Sequence, residues 1–281
     1  MFENKKLHKT SLLSKFLVCL YVALTLLPLF WMLMMSFKTQ QQIMMEPIKL
    51  PDSFKFTNYR GALKSAPFLM LYKNSFKIML VALPLVMLFS LMAAFAISRV
   101  TATHPRIRNA FHSYFSLGFI VPFACMLFPV YKLVLDIGVW DSLWAVILPQ
   151  IGWAAPMSVM LLVTAFNKVP SSLEEAAVLD GCTVPQMFTR VMLPMVRPTA
   201  VTIFILNFLA IWNDYMYARL VLNANNLWTV SLAAVFFKGR YSTDYGLMSA
   251  GIVLVLIPQI IVFIVLQRQI MAGVTAGAVK E

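Results

Sequence analysis

Asp214 follows Trp212 and Asn213 inside an otherwise apolar stretch. A carboxylate at membrane depth is costly and as a rule functional. An indole beside an amide and a carboxylate can stack on a solute and hydrogen-bond its hydroxyls. Trp212, Asn213 and Asp214 are therefore candidates for lining a path for a hydroxyl-rich molecule. The structural reading stands beside it: the three fix helix packing, or Asp214 pairs with Arg219. Asn207, Gln150 and Gln259 are weaker candidates for the same path, because amides in membrane helices often bridge neighbours. A second group, Leu173-Glu174-Glu175-Ala176-Ala177 with Asp180 and Gly181, sets two acids beside two small residues. Small residues let another backbone approach closely, and the acids offer charge for pairing. This group reads either as a docking knob or as an amphipathic helix lying on the membrane surface.

Other chemistry is missing. There is no G-x-x-x-x-G-K-[ST] to cradle nucleotide phosphates. Neither H-E-x-x-H nor G-x-S-x-G occurs, and His8, His104 and His112 have no ligand spacing. Cys19, Cys125 and Cys182 are far apart, with no C-x-x-C, so neither a disulfide framework nor a metal site is indicated. Each cysteine is expected to be a small buried apolar side chain. No enzyme and no bound cofactor or metal are expected of this chain.

The elements that position these residues follow from composition. The chain is 60% hydrophobic and only 12% charged, too little charge to cover a water-facing surface. A net charge of +12 raises nucleic acid as a partner. The basic residues, however, sit in short clusters such as Lys5-Lys6-Lys9-Lys15 and Arg99-Arg106-Arg108, which flank apolar runs as membrane helices require. No nucleic-acid binding is expected. A span needs about 20 apolar residues. Residues 16–37, 78–98, 110–131, 142–166 and 245–267 supply clear runs, and 199–222 an imperfect one that carries Asp214 and Arg219. The run at 16–37 is longer than a signal-peptide core and lacks a following small-residue cleavage site, so it reads as an uncleaved span. Six spans put both termini on one side. The lysines before the first span and the arginines between the second and third favour the cytoplasm. Residues 38–77 are too long and polar for a tight turn, and are expected outside with one short interfacial helix. Prolines 28, 84, 122, 129, 149, 156 and 258 fall inside the spans. Each removes a backbone donor and kinks its helix, as ordinary membrane packing tolerates and as a bending bundle requires.

Residues 167–198, between the fourth and fifth spans, are longer than a simple link needs. Ser172 and Glu175 have capping-box spacing, so a helix is expected from Leu173 to about Asp180. Gly181 suits the left-handed position that ends it. Thr183, Pro185 and Gln186 start a second short helix with Met187, Phe188, Val191 and Met192 on its apolar side, ending near Leu193-Pro194.

This segment resembles the cytoplasmic loop of ABC importer permeases. That family's pattern is Glu-Ala-Ala, three residues, Gly, nine residues, then Ile-x-Leu-Pro. Here Glu175-Ala176-Ala177, Gly181 and Val191-Met192-Leu193-Pro194 keep the spacing, with Val in place of Ile. Nearly the whole chain resembles the carbohydrate, MalG-like branch. The matching features are Pro28, Trp31, Ser36-Phe37-Lys38, Asn58-Tyr59, Pro122, Pro129-Val130-Tyr131, Gly138, Asp141-Ser142, Trp212-Asn213-Asp214-Tyr215 and the tail from Gly273 to Lys280, where Glu281 replaces the usual glycine.

The resemblance implies an all-α integral membrane protein. It would have six spans and a cytoplasmic coupling helix between the fourth and fifth. Residues 1–72 would form the N-terminal tail, first span and outer loop. Residues 73–268 would form the core permease domain, with coupling segment 167–198, and 269–281 a cytoplasmic tail. Implied docking residues for an ATPase are Leu173, Glu174, Glu175, Ala176, Ala177, Asp180 and Gly181, with Gly277, Val279 and Lys280 reaching along its interface. The implied partners are a dimer of ATPase subunits that uses ATP and magnesium, a second homologous permease and an extracytoplasmic solute-binding protein. The implied setting is the bacterial inner membrane, crossed several times, with both termini cytoplasmic. The implied function is carbohydrate import. A permease for polyamines, phosphate or glycerol phosphodiesters is the nearest rival reading, and a secondary transporter needing no ATPase the more distant one.

Overall fold

The computed structural model describes residues 12–100, 104–239 and 242–278. These residues are helical, apart from turns and an isolated bridge between Lys238 and Thr243. They divide into two compact units. One holds residues up to Ala66 with Ala234–Leu254; the other holds Pro67–Ala233 and the chain from Val255.

In the first unit, α1 (Leu12–Met35) carries apolar side chains around its whole circumference, and they stay exposed except near its end. Such a surface suits hydrocarbon. The following loop holds two short helices, α2 (Gln40–Met45) and α3 (Thr57–Ser65), where one was expected. Thr39 and Gln42 close a reciprocal capping box at the start of α2, each side chain accepting the other's backbone N–H at 3.2 Å. Ser36 and Lys38 meet Asn58 and Tyr59 across the loop. Asn58 Nδ2 donates to the carbonyls of Ser36 and Lys38 at 2.9 and 2.7 Å, and the Ser36 hydroxyl lies 2.7 Å from the Tyr59 hydroxyl. Lys38 is fully buried, which is tolerable because its ammonium donates to the Glu46 and Pro47 carbonyls, both at 3.0 Å, and lies 5.3 Å from the centre of the Trp31 ring.

The second unit is built on α4 (Phe68–Phe95), continued by a π turn at Ala96–Val100, and on α7 (Trp144–Asn167), which packs along it. Against these lie α5 (Pro105–Ile120), α6 (Phe123–Asp136), α8 (Ser171–Leu179), α9 (Val184–Met187), α10 (Leu193–Trp212) and α11 (Met216–Val221). The final helix, α12 (Tyr245–Ala278), begins in the first unit and ends in the second. Among the described residues, five helical stretches are long and apolar enough to cross a bilayer: Leu12–Met35, Phe68–Arg99, Trp144–Asn167, Val184–Trp212 and Tyr245–Gln267. The pair α5–α6 makes a sixth if counted as one broken span. The membrane-spanning, all-helical class is therefore as the sequence indicates.

Three spans depart most from the apolar runs, each for a reason visible in the structure. The second span starts at Phe68 rather than 78, because its polar first turns find partners. Asn74 Nδ2 donates to the carbonyls of Asn226 and Trp228 at 2.8 and 3.0 Å, and the Ser75 hydroxyl accepts the Val230 N–H at 2.9 Å. The third span is not straight: α5 and α6 meet at 100°. Val121 is forced into an extended conformation (ψ 119°) by the ring of Pro122, which starts α6. The fifth span occupies Val184–Trp212 rather than 199–222. The short helix expected to end near Leu193-Pro194 instead runs on into it. Pro194 offers no N–H, and the chain shifts there into a π turn (Phe188–Met192), with the Leu193 N–H bonded to the Phe188 carbonyl.

Candidate functional site

The first site is α8 and the turn after it. Its N-terminal cap is Pro170, with no side-chain hydrogen bond, so the capping box expected from Ser172 and Glu175 is absent and the helix starts two residues earlier. Its C-terminus follows the sequence expectation closely. Gly181 has φ +75°. Its N–H bonds to the Val178 carbonyl at 3.0 Å, and the Cys182 N–H bonds to the Ala177 carbonyl at 2.9 Å. These two bonds form a Schellman motif, which satisfies the last carbonyls of the helix. The next helix then starts as predicted, with Gln186 Oε1 accepting the Thr183 N–H at 2.8 Å and Pro185 in the first turn.

The helix sorts its residues by face. Leu173, Glu175, Ala176 and Asp180 are exposed, together with Gly181 beyond it. Ala177 is buried, so the two alanines do not form one outward patch. Adjacent helical residues point about 100° apart, so Ala176 and Ala177 do not share one direction. The Glu174 side chain also turns inward, and its carboxylate forms an ion pair with Arg99 at the end of the second span. What the sequence reading missed is the apolar tip. Val178 and Val184 are exposed, and Leu179 is 88% exposed. Three large aliphatic residues amid capping and charged residues were the available signal: nothing in the segment's periodicity buries them.

The second site is a cavity of about 550 Å³. It is lined on α7 by Gln150, Trp153, Ala154 and Met157, on α10 by Asn207 and its neighbours, and by Asn213, Asp214 and Tyr215 in the turn after α10. Asp214 Oδ2 accepts from Gln150 Nε2 at 2.7 Å, and Oδ1 accepts the Tyr217 N–H at 3.1 Å, which starts α11. Arg219 does not pair with Asp214; its guanidinium lies 5.1 Å from the centre of the Trp228 ring. Asn213 and Gln259 exchange two amide hydrogen bonds at 3.0 and 3.1 Å, so Gln259 reaches the cavity only through Asn213. Asn207 donates to the Ser158 hydroxyl at 2.9 Å, bridging α10 to α7.

Trp212 is not part of the cavity wall. It is 1% exposed, stacked on Phe208 and set among Tyr72 and Phe76, with its indole N–H on the Val255 carbonyl at 3.2 Å. The aromatic face at the cavity belongs to Trp153, whose ring meets Phe123 and Tyr217 edge-on at 4.6 and 4.7 Å. The cavity therefore offers one carboxylate, three amides and an aromatic plane within apolar walls, a set suited to a polar, hydroxyl-bearing solute. Of the tail residues, Gly277 falls within α12, and Val279 and Lys280 lie outside the described residues.

Among known proteins, residues 6–275 match the family described as "Binding-protein-dependent transport system inner membrane component". A probable starch degradation products transport system permease protein of Thermoanaerobacterium thermosulfurigenes is 28% identical over 99% of this chain and 100% of its own. The diacetylchitobiose uptake system permease protein of Streptomyces coelicolor is 30% identical over 97% of this chain and 90% of its own. The fold is similar to a chain in the crystal structure of a bacterial ABC transporter involved in the import of the acidic polysaccharide alginate. The TM-score is 0.76 at 21% identity, covering 91% of this chain and 94% of that one.

Proposed function

We propose, since the chain belongs to the family of binding-protein-dependent transport system inner membrane components, that it is the permease subunit of an ATP-driven carbohydrate importer. In this reading it forms half of the solute path and couples a separate ATPase to alternating access. The observation that carries the coupling is α8. It joins the fourth and fifth spans and presents Leu173, Val178 and Leu179 beside the exposed Glu175. An exposed apolar tip on a rigidly capped turn is the form of a partner contact.

The ATPase dimer supplies the nucleotide site that this chain lacks, and uses ATP and magnesium there. A solute-binding protein delivers substrate to the opposite face. A second permease of the same family completes the path. The end bearing α8 faces the cytoplasm, as do both termini; Arg99, Arg106, Arg108, Lys168, Arg190 and Arg197 gather in the segments at this end. The tail with Gly277, Val279 and Lys280 reaches along the ATPase.

Carbohydrate as the substrate class is supported by the two relatives named for sugar products and by the mixed amide, carboxylate and aromatic lining of the cavity. ATP-dependent uptake into vesicles by the complete transporter tests the reading. Competition by one or more oligosaccharides is expected. Competition by polyamines, phosphate or glycerol phosphodiesters alone would reassign the substrate. Uptake driven by an ion gradient without ATP would reject the ATPase partner.

A further inference from the structure

We infer that Arg99 and Glu174 form a strut that makes α8 move as one body with the second and fourth spans; Arg99 is a positioning residue for transport. The inference rests on the reading that α8 receives the ATPase. Arg99 lies in the π turn ending the second span. Its guanidinium donates to the carbonyls of Phe166 and Val169 at 2.8 and 3.1 Å, at the C-terminus of α7. Its Nε pairs with the Glu174 carboxylate in the first turn of α8. One side chain thus joins three elements. The polarity is favourable at each contact: a cation at the negative end of α7, and an acid at the positive end of α8. The paired side chains are only 17% and 18% exposed, so salt screens them less than a surface pair.

The packing beneath ties the same span ends together and adds the fifth span. Phe95 meets Phe166 and Phe188 at 5.9 and 5.1 Å between ring centres. Ala94, Phe95 and Ile97 of the second span share a buried cluster with Val163, Phe166 and Val169 of the fourth span and its end, and with Met192, Val196, Ala200 and Ile203 of the fifth. The covalent route from α8 to α10 passes through the π turn at Phe188–Met192 followed by Pro194. π turns interrupt the regular ladder and recur at functional sites. A push on α8 therefore reaches α4 and α7 through the Arg99–Glu174 junction, and α10 through the shared cluster and the π turn.

The test uses the complete transporter. Spin labels are placed at Met92 on α4 and Ser172 on α8, both exposed, after Cys19, Cys125 and Cys182 are replaced by alanine. Distances are measured nucleotide-free and trapped with ATP and vanadate. One narrow distance, unchanged between the two states, is expected. Arg99→Gln and the near-isosteric Glu174→Gln are expected to broaden it and to lower solute moved per ATP hydrolysed about tenfold, with the ATPase still bound. A wild-type distance that shifts between states would overturn the strut. So would Gln variants that leave both distance and uptake unchanged, and Glu174→Gln decides alone if Arg99→Gln does not fold. Failure of the docking reading is distinguishable: the ATPase would then stay bound when Leu179→Asp removes the apolar tip.

Discussion

Replacing Gly181 by alanine isolates the backbone of the turn after α8. Gly181 sits at φ +75°, and a Cβ built there meets nothing within 4 Å. Steric collision is therefore absent, and the cost is that of a left-handed L-residue, about 1–2 kcal/mol. That is small against a folding free energy of roughly 5–15 kcal/mol, so the protein still inserts and folds, but it changes the population of the local turn about five- to thirtyfold. The turn holds the Schellman bonds at 3.0 and 2.9 Å, which set the direction in which Leu179 and Val184 project. Gly181→Ala is thus expected to lower uptake and solute-stimulated ATP hydrolysis several-fold at unchanged membrane abundance. Gly181→Asn, whose side chain tolerates this conformation, is expected to retain most activity. Both are measured in vesicles with the complete transporter. Wild-type uptake by Gly181→Ala would refute the reasoning. Equal loss in the Asn and Ala variants would place the cause in the side chain rather than in the backbone.

The remaining expectations concern the second site and the outer loop. Trp212→Ala removes a fully buried indole and is expected to destabilise the fold by about 3–5 kcal/mol, seen as a lowered melting temperature in detergent. Trp153→Ala is expected to weaken uptake with a much smaller fall in melting temperature, since Trp153 is only partly buried at the cavity wall. Gln150→Leu leaves Asp214 Oδ2 without its 2.7 Å donor and is expected to cost about 1–3 kcal/mol; combining it with Asp214→Leu should recover part of that loss in the same melting assay. Asn58→Ala removes both bonds to the Ser36 and Lys38 carbonyls and is expected to cost about 1–3 kcal/mol, read as faster proteolysis of the loop between α1 and α4.

The apolar runs showed where helices cross a membrane, but not where they begin and end. Asn74 and Ser75 look like loop residues by hydropathy, yet each has a backbone partner in the later segment from Asn226 to Val230. Such partners are set by tertiary packing and leave no local trace. Gly181 was legible because its conformation requires glycine chemistry. Glu174 was not, because the pattern that places Glu175 outward says nothing of Arg99, distant in sequence, turning Glu174 inward. Trp153, not Trp212, supplies an aromatic face at the cavity. An indole beside Asn213 and Asp214 looks like a ligand contact until the fold buries the ring among Phe208, Tyr72 and Phe76, outside the cavity lining.

Whether α8 docks a separate ATPase is tested most directly by affinity purification of this chain in mild detergent, comparing the wild type with Leu179→Asp and Glu175→Lys. Wild-type chain is expected to bring down the ATPase in fixed proportion. The two variants should insert and fold normally, yet retain far less of it. Undiminished ATPase on both variants, or none on the wild type, would contradict the docking role of α8.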